Sequence, residues 1–171
     1  MNELTKNILI IGKQGSGKSY LAKKWQELGV NAVDADKIEG LGDWYDADGT
    51  LIEFNKDADA EWIKVNSFLW DKSFLEKYLD DQGPIIILGS SRNALELKEL
   101  FDDIYYLKVP GEIIEERLQN TDRTNPHGST KEQRQVILRK VQASDEKIIR
   151  SNIKMISGTQ TPEEILEQIE F

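Results

Sequence analysis

The chain contains no cysteine. That excludes a disulfide scaffold and any thiolate metal centre. It has one histidine, His127, without a partner ligand nearby, so imidazole metal chemistry is not expected either. No apolar stretch approaches the roughly 20 residues that cross a bilayer. Acidic residues outnumber basic ones, 31 to 22, for a formal net charge of −9. A chain this acidic lacks the positive field of a nucleic-acid binder, so neither nucleic acid nor a membrane is expected as partner. Residues 1–6 are polar and run straight into an apolar segment, unlike a secretion signal. With no cysteine, a cytoplasmic location is the expectation.

Hydrophobic residues make up 39% of the 171 positions and charged residues 31%. Such a chain can bury a sizeable core, and residues 1–171 are expected to form one domain. Positive charge is concentrated in two places. Lys13, Lys18, Lys23 and Lys24 surround a glycine-rich loop, and Arg117, Arg123, Lys131, Arg134, Arg139 and Lys140 share a later segment.

Five short apolar runs, at 7–11, 31–34, 85–88, 104–107 and 153–156, read as strands. Helical spacing fits 18–28, with Leu21, Ala22, Trp25 and Leu28 on one face, and most of 61–79. Helices are also expected at 93–101 and 110–118. A capping pattern, Ser129-x-x-Glu132, opens a long helix, and Thr161-Pro162-Glu163-Glu164 opens a short last one. Segment 36–60 is polar and carries no clear period. Within it Asp46-Ala47-Asp48-Gly49 lacks the remaining ligand spacing of a calcium loop and reads as a solvated loop. Strands alternating with helices predict an α/β layered fold on a parallel sheet.

Gly12-Lys13-Gln14-Gly15-Ser16-Gly17-Lys18-Ser19 matches G-x-x-x-x-G-K-S between a strand and a helix. Phosphate oxygens need several donors converging on a small volume. Glycines let the backbone curl so that successive N–H groups point inward, and the helix N-terminus adds orphan donors and a positive dipole end. Lys18 then bridges the outer phosphates of ATP, and the Ser19 hydroxyl ligates Mg²⁺.

Two commoner kinds of nucleotide protein do not fit. Asn55-Lys56-Asp57 is followed by Ala58, so a guanine-reading N-K-x-D is missing. Strand 85–88 runs into Gly89-Ser90-Ser91-Arg92 without a carboxylate. The remaining acidic pair is Asp34 and Asp36, at the end of the second strand. Ligands of open parallel sheets bind beyond the strands' carboxyl ends, so both aspartates are expected to face the glycine loop, unless one merely caps the next turn. Arg92 lies at the same edge, suited either to an anionic substrate group or to local carboxylates.

These features resemble the P-loop small-molecule kinases of the adenylate kinase, shikimate kinase and dephospho-coenzyme A kinase group. Arg123-Thr124-Asn125-Pro126-His127-Gly128, before a long helix, is most similar to bacterial AAA-family or shikimate-kinase-like ATPases; many of those have Lys where this chain has Ser129. The resemblance implies a three-layer P-loop NTPase sandwich with five parallel strands in the order 2-3-1-4-5. It implies ATP and Mg²⁺ as cofactors and transfer to a hydroxyl or phosphate of a nucleoside, nucleotide or shikimate-like acceptor. Asp36, or Asp34, touches that acceptor or the metal shell. A lid near 117–130 brings Arg123, and at its base Arg117, to the phosphates, where such guanidinium groups stabilise transferring charge and closure excludes water. The region near 37–80 covers the acceptor, so Trp44, Tyr45, Trp62 and Trp70 either line a pocket or pack a core. The loop Ser157-Gly158-Thr159 passes near the adenine in related folds. The catalytic set expected is thus Lys18, Asp36 and Arg123, in a monomer. The competing reading is a nucleotide-binding regulatory ATPase without a small-molecule acceptor.

Overall fold

The computed structural model describes residues 3–120, 130–151 and 153–171. Its first element, β1 (Ile8–Ile11), is four apolar residues buried on both faces. A strand without polar alternation needs cover on each side, and the chain supplies it. Ile8 and Ile10 pack with Leu21, Ala22 and Trp25 of α1 (Lys18–Glu27) and with Ile165 and Leu166 of α6 (Pro162–Glu167). Leu9 and Ile11 pack with Leu75 and Leu79 of α3 (Lys72–Gln82) and with Ile148 of α5 (Lys131–Arg150). Three layers result, with the sheet in the middle.

The sheet holds β1, β2 (Ala32–Asp34), β6 (Ile86–Leu88), β7 (Asp103–Lys108) and β8 (Lys154–Ser157). Its order is β2-β6-β1-β7-β8, all pairs parallel. Counting only these five, the order is 2-3-1-4-5, as expected. The strand order reverses beside β1, so β1 delivers its loop into the crevice between its neighbours. α4 (Gly111–Gln119) follows β7 and packs Ile114 and Leu118 against Ile137 of α5. No helix among the described residues is long and apolar enough to cross a membrane.

The expected helix over 61–79 is corrected. It splits into α2 (Ala60–Val65), strand β5 (Ser67–Trp70) and α3. The apolar spacing of this stretch satisfies a helix locally, but a tertiary partner claims its middle. The Asn93 side chain accepts from Trp70 N (2.9 Å) and donates to Trp70 O (2.9 Å), closing on an extended backbone. Asp71 then caps α3 by accepting from Phe74 N at 2.7 Å.

The segment left unassigned forms strands too. β3 (Gly42–Tyr45) lies between β4 (Leu51–Ile52) and β5 in a three-stranded antiparallel sheet. The Asp46–Thr50 stretch is its hairpin turn. Asp46 Oδ1 accepts from Asp48 N (2.9 Å) and Thr50 N (2.8 Å), and Gly49 takes φ 81°. This small sheet sits at the carboxyl edge of the large one. Arg92 N, just past β6, donates to Phe68 O (2.9 Å), and Asp71 N donates to Leu41 O (2.8 Å).

Candidate active site

The glycine loop follows β1 and ends as the first turn of α1. Gly15 and Gly17 have φ of 80° and 100°, left-handed values that a side chain would strain. Gly17 is the N-cap of α1 and offers no side-chain cap, so the first N–H groups of the helix keep their donors for a ligand. Gly12 is packed for a different reason. A Cβ there would lie 2.8 Å from Ser16 Oγ and 3.2 Å from Leu107 O.

Lys18 folds back over the loop. Its Nζ donates to Gly12 O (2.7 Å), Lys13 O (3.0 Å) and Ser16 Oγ (3.4 Å). Burial pushes the ammonium down to about 8, against the opposing pull of the Asp36 and Asp34 carboxylates. Ser90, the residue where no carboxylate was found, donates its hydroxyl to Gly12 O as well. Its role was not anticipated; the only signal was its position after the strand that pairs with β1.

Asp34 is 6% exposed, and its Oδ1 accepts from Asp36 N at 3.1 Å. It therefore caps the single 3₁₀ turn Ala35–Lys37. Asp36 is exposed on that turn. Both aspartates line one cavity of about 1010 Å³ with Gly12, Lys13, Gln14 and Ser19. Arg92 lines it as well, and its Nη1 donates to Ser67 Oγ at 2.6 Å. Arg117, from α4, reaches behind the loop. Its Nη1 donates to Ser16 O (2.9 Å) and Gly15 O (3.4 Å), and Nη2 to Gly158 O (3.4 Å). It ties the glycine loop to the turn after β8. Arg123 lies outside the described residues.

Part of the cavity lining is aromatic. Trp44, Phe54 and Phe68 line it. Trp62 packs behind, its ring 4.9 Å from that of Trp44 and 5.6 Å from that of Phe54. Of the aromatics weighed for this role, Trp70 is instead a core residue, 3% exposed, beneath Gly89. Tyr45 pairs with Ser67 on the sheet's other face. Phe54 and Phe68 were not singled out from the sequence, because nothing in an unassigned loop and an expected helix put them on one side.

A five-stranded parallel sheet in this order, with a glycine loop at its switch point, has the fold of the P-loop small-molecule kinase group. Residues 8–138 match the AAA domain family, and the chain belongs to it. No curated protein matches the chain in sequence. Among solved structures it is similar to shikimate kinase from Acinetobacter baumannii in complex with shikimate, at 17% identity and a TM-score of 0.58, covering 97% of this chain and 93% of that one. It is also similar to shikimate kinase from Aquifex aeolicus vf5 (18% identity, TM-score 0.53, 95% and 92% covered). A gluconokinase from Sinorhizobium meliloti 1021 matches at 16% identity and a TM-score of 0.51, with 98% and 90% covered. At such identities the likeness is one of fold.

Proposed function

We propose that the protein is an ATP- and Mg²⁺-dependent phosphotransferase acting on a small-molecule acceptor. One observation carries the reading. The glycine loop lines a cavity of about 1010 Å³, roomy enough for a second substrate beside the triphosphate. A regulatory ATPase needs no such chamber. The structures similar to this one include kinases of small hydroxylated acids, which supports the same choice.

The residues present fit the cofactors. The curled glycine loop and the uncapped start of α1 suit a polyphosphate. Ser19, Asp34 and Asp36 are oxygen donors of the hard kind that Mg²⁺ prefers, and all three line the cavity. When bound, Mg·ATP supplies the phosphoryl group. Lys18 swings from the carbonyls of Gly12 and Lys13 to the transferring charge. Asp36 orients the acceptor hydroxyl and receives its proton, Asp34 holds the Asp36 turn, and Arg92 takes an anionic substituent. Arg117 and Arg123 neutralise phosphate charge, the latter from a lid near 117–130, while the insert near 37–80 covers the acceptor. The whole is one domain working as a monomer.

Asp36→Asn tests the assignment. It keeps the volume and the turn but removes the base, so transfer to an acceptor should fall at least about 100-fold with ATP affinity unchanged. ADP release that proceeds at wild-type rate in water, indifferent to any acceptor and to this substitution, would overturn the reading.

A further inference from the structure

We infer that Asn66 is a specificity-determining residue of the acceptor site. Its carboxamide oxygen selects compounds that offer a neutral hydroxyl besides the one that reacts. The inference rests on the phosphotransfer reading for the reacting hydroxyl, and on the surroundings of Asn66 for the second one.

Asn66 ends α2 and leads into β5. Its backbone is extended, with φ −102° and ψ 157°, and its main-chain N donates to Trp62 O at 3.1 Å. The side chain folds back onto the same carbonyl, Nδ2 donating to Trp62 O at 2.8 Å. That bond fixes which end of the carboxamide is nitrogen, since the reverse assignment would set two oxygens against each other. The helix that carries Asn66 is anchored at its start as well. Asp59 caps it by accepting from Trp62 N (2.8 Å), and Gln133 Nε2 holds Ala58 O (2.8 Å). The direction of Asn66 Oδ1 is thus set by the scaffold.

Asn66 is only 9% exposed, yet it lines the 1010 Å³ cavity. Its Oδ1 accepts no hydrogen bond from any described residue, and it is not sealed among protein atoms. The oxygen therefore opens on the cavity. Buried carbonyl oxygens are rarely left unpaired, and each that is calls for an explanation. Asn7 Oδ1 also lacks a partner, but it is enclosed by protein beside the start of β1, where no ligand reaches it. In a solvent-filled cavity water satisfies Asn66 Oδ1. A compound that displaces the water must replace its bond.

The charges nearby choose the donor. Lys64, two residues earlier, lines the cavity, and so does Arg92, which is bonded to the hydroxyl of the next residue, Ser67. Glu61, 4.0 Å from Lys64 Nζ, offsets only part of that charge. A cationic donor would meet two like charges and an oxygen that gives it no ionic partner. A neutral O–H meets no such penalty. Asp36, on the turn after β2, lines the same cavity with the glycine loop. One hydroxyl of the acceptor goes to that carboxylate and reacts; a second donates to Asn66. An amide oxygen is too weak a base to take the reacting proton, so Asn66 selects the acceptor without catalysing.

The experiment uses the full chain loaded with Mg²⁺ and a non-hydrolysable ATP analogue. The probes are gluconate, ribose, glycerol and shikimate, each set against its single-deoxy analogues. Calorimetry should show at least one deoxy analogue binding about fivefold to 150-fold more weakly than its parent, because it leaves a buried oxygen unpaired. In Asn66→Ala that gap should close. A merely structural role would weaken parent and analogue alike and leave the gap intact. Asn66→Asp is the second variant. Its carboxylate should favour serinol, the amino counterpart of glycerol, over glycerol more than the wild type does. Thermal melts show that each variant is folded. Wild-type protein without any parent–deoxy gap would overturn the inference, as would a gap unchanged in Asn66→Ala. Where Asn66→Ala does not fold, an unchanged serinol preference in Asn66→Asp would overturn it. Replacing the analogue with ATP separates the two readings. A binding gap that closes in Asn66→Ala, without a phosphorylated product, refutes the phosphotransferase and leaves the Asn66 site standing. Product formed equally well from every parent and its deoxy analogues keeps the phosphotransferase and removes the role of Asn66.

Discussion

Replacing Lys18 by methionine should stabilise the empty protein at neutral pH while destroying nucleotide binding. In the empty loop the ammonium is held at about 8, below its ordinary 10.5, chiefly by burial. The unfolded chain keeps its proton up to 10.5, so below pH 8 folding carries the full cost of an unwelcome charge. That shift corresponds to about 3 kcal/mol. The sign follows from proton counting. Between pH 8 and 10.5 the unfolded state holds more protons than the folded one, so this residue's contribution to stability rises with pH across that window. Other lysines move oppositely; Lys6 and Lys154 are both raised by their acidic partners, Asp103 and Glu170. The difference between wild type and Lys18→Met cancels them. Urea denaturation at pH 7 and pH 10 should show that difference moving by about 2.5 kcal/mol in favour of the wild type as the pH is raised. For a chain of this length that is roughly 5–10 °C in Tm. A pH-independent difference, or a Lys18→Met protein less stable at pH 7 than at pH 10 relative to wild type, would refute the account of Lys18 as a charge strained by the empty loop.

The same residue sets a pH dependence for binding. Nucleotide phosphate restores the ammonium, so affinity for Mg·ATP should fall about 30-fold from pH 7 to pH 9.5, measured by calorimetry, with proton uptake appearing near pH 8. Arg117→Ala should lower stability by about 1–2 kcal/mol, because three backbone carbonyls lose a charged donor, and Arg117→Lys should recover little of it, since one ammonium does not span Gly15, Ser16 and Gly158; chemical denaturation checks both. Gly89→Ala should destabilise by about 1–3 kcal/mol or more, since its Cβ would lie 2.3 Å from Ala35 Cβ and 2.8 Å from Trp70 Cζ2. Pairing it with Ala35→Gly should return part of that loss in a double-mutant cycle.

What the sequence disclosed, and what it hid, divides along the range of the interactions involved. The glycine loop and the five strands were legible because continuous apolar runs and the loop motif are local signals, whereas the strand order was implied only by the resemblance to P-loop small-molecule kinases. The split of 61–79 was not. Ser67–Trp70 is extended because Asn93, far along the chain, closes on both backbone groups of Trp70, and no local period reports that. Asp34 and Asp36 line the same cavity, but their surroundings differ. The buried one spends an oxygen on the Asp36 amide, and the exposed one stands on the turn so capped. Arg117 was expected beside the nucleotide phosphates. In the empty protein its guanidinium is engaged with the backbone of the loop that would hold them, a contact visible only once α4 and β8 are in place.

The insert is therefore held at both ends by the scaffold. At one end Asn93 and Arg92, just past β6, bind the backbone of Trp70 and Phe68. At the other, the fully buried Gln133 of α5 donates from Nε2 to Ala58 O (2.8 Å) and Lys56 O (3.2 Å), fixing the approach to α2. These ties all grip backbone, so they constrain where the small sheet lies without constraining which side chains it presents. Trp44 and Phe68 make none of those side-chain ties. The residues that hold the small sheet in place are thus distinct from the aromatic residues that line the cavity. Substitutions at 44 and 68 should alter which acceptor is chosen well before they alter where the insert sits, whereas Asn93 or Gln133 should do the reverse.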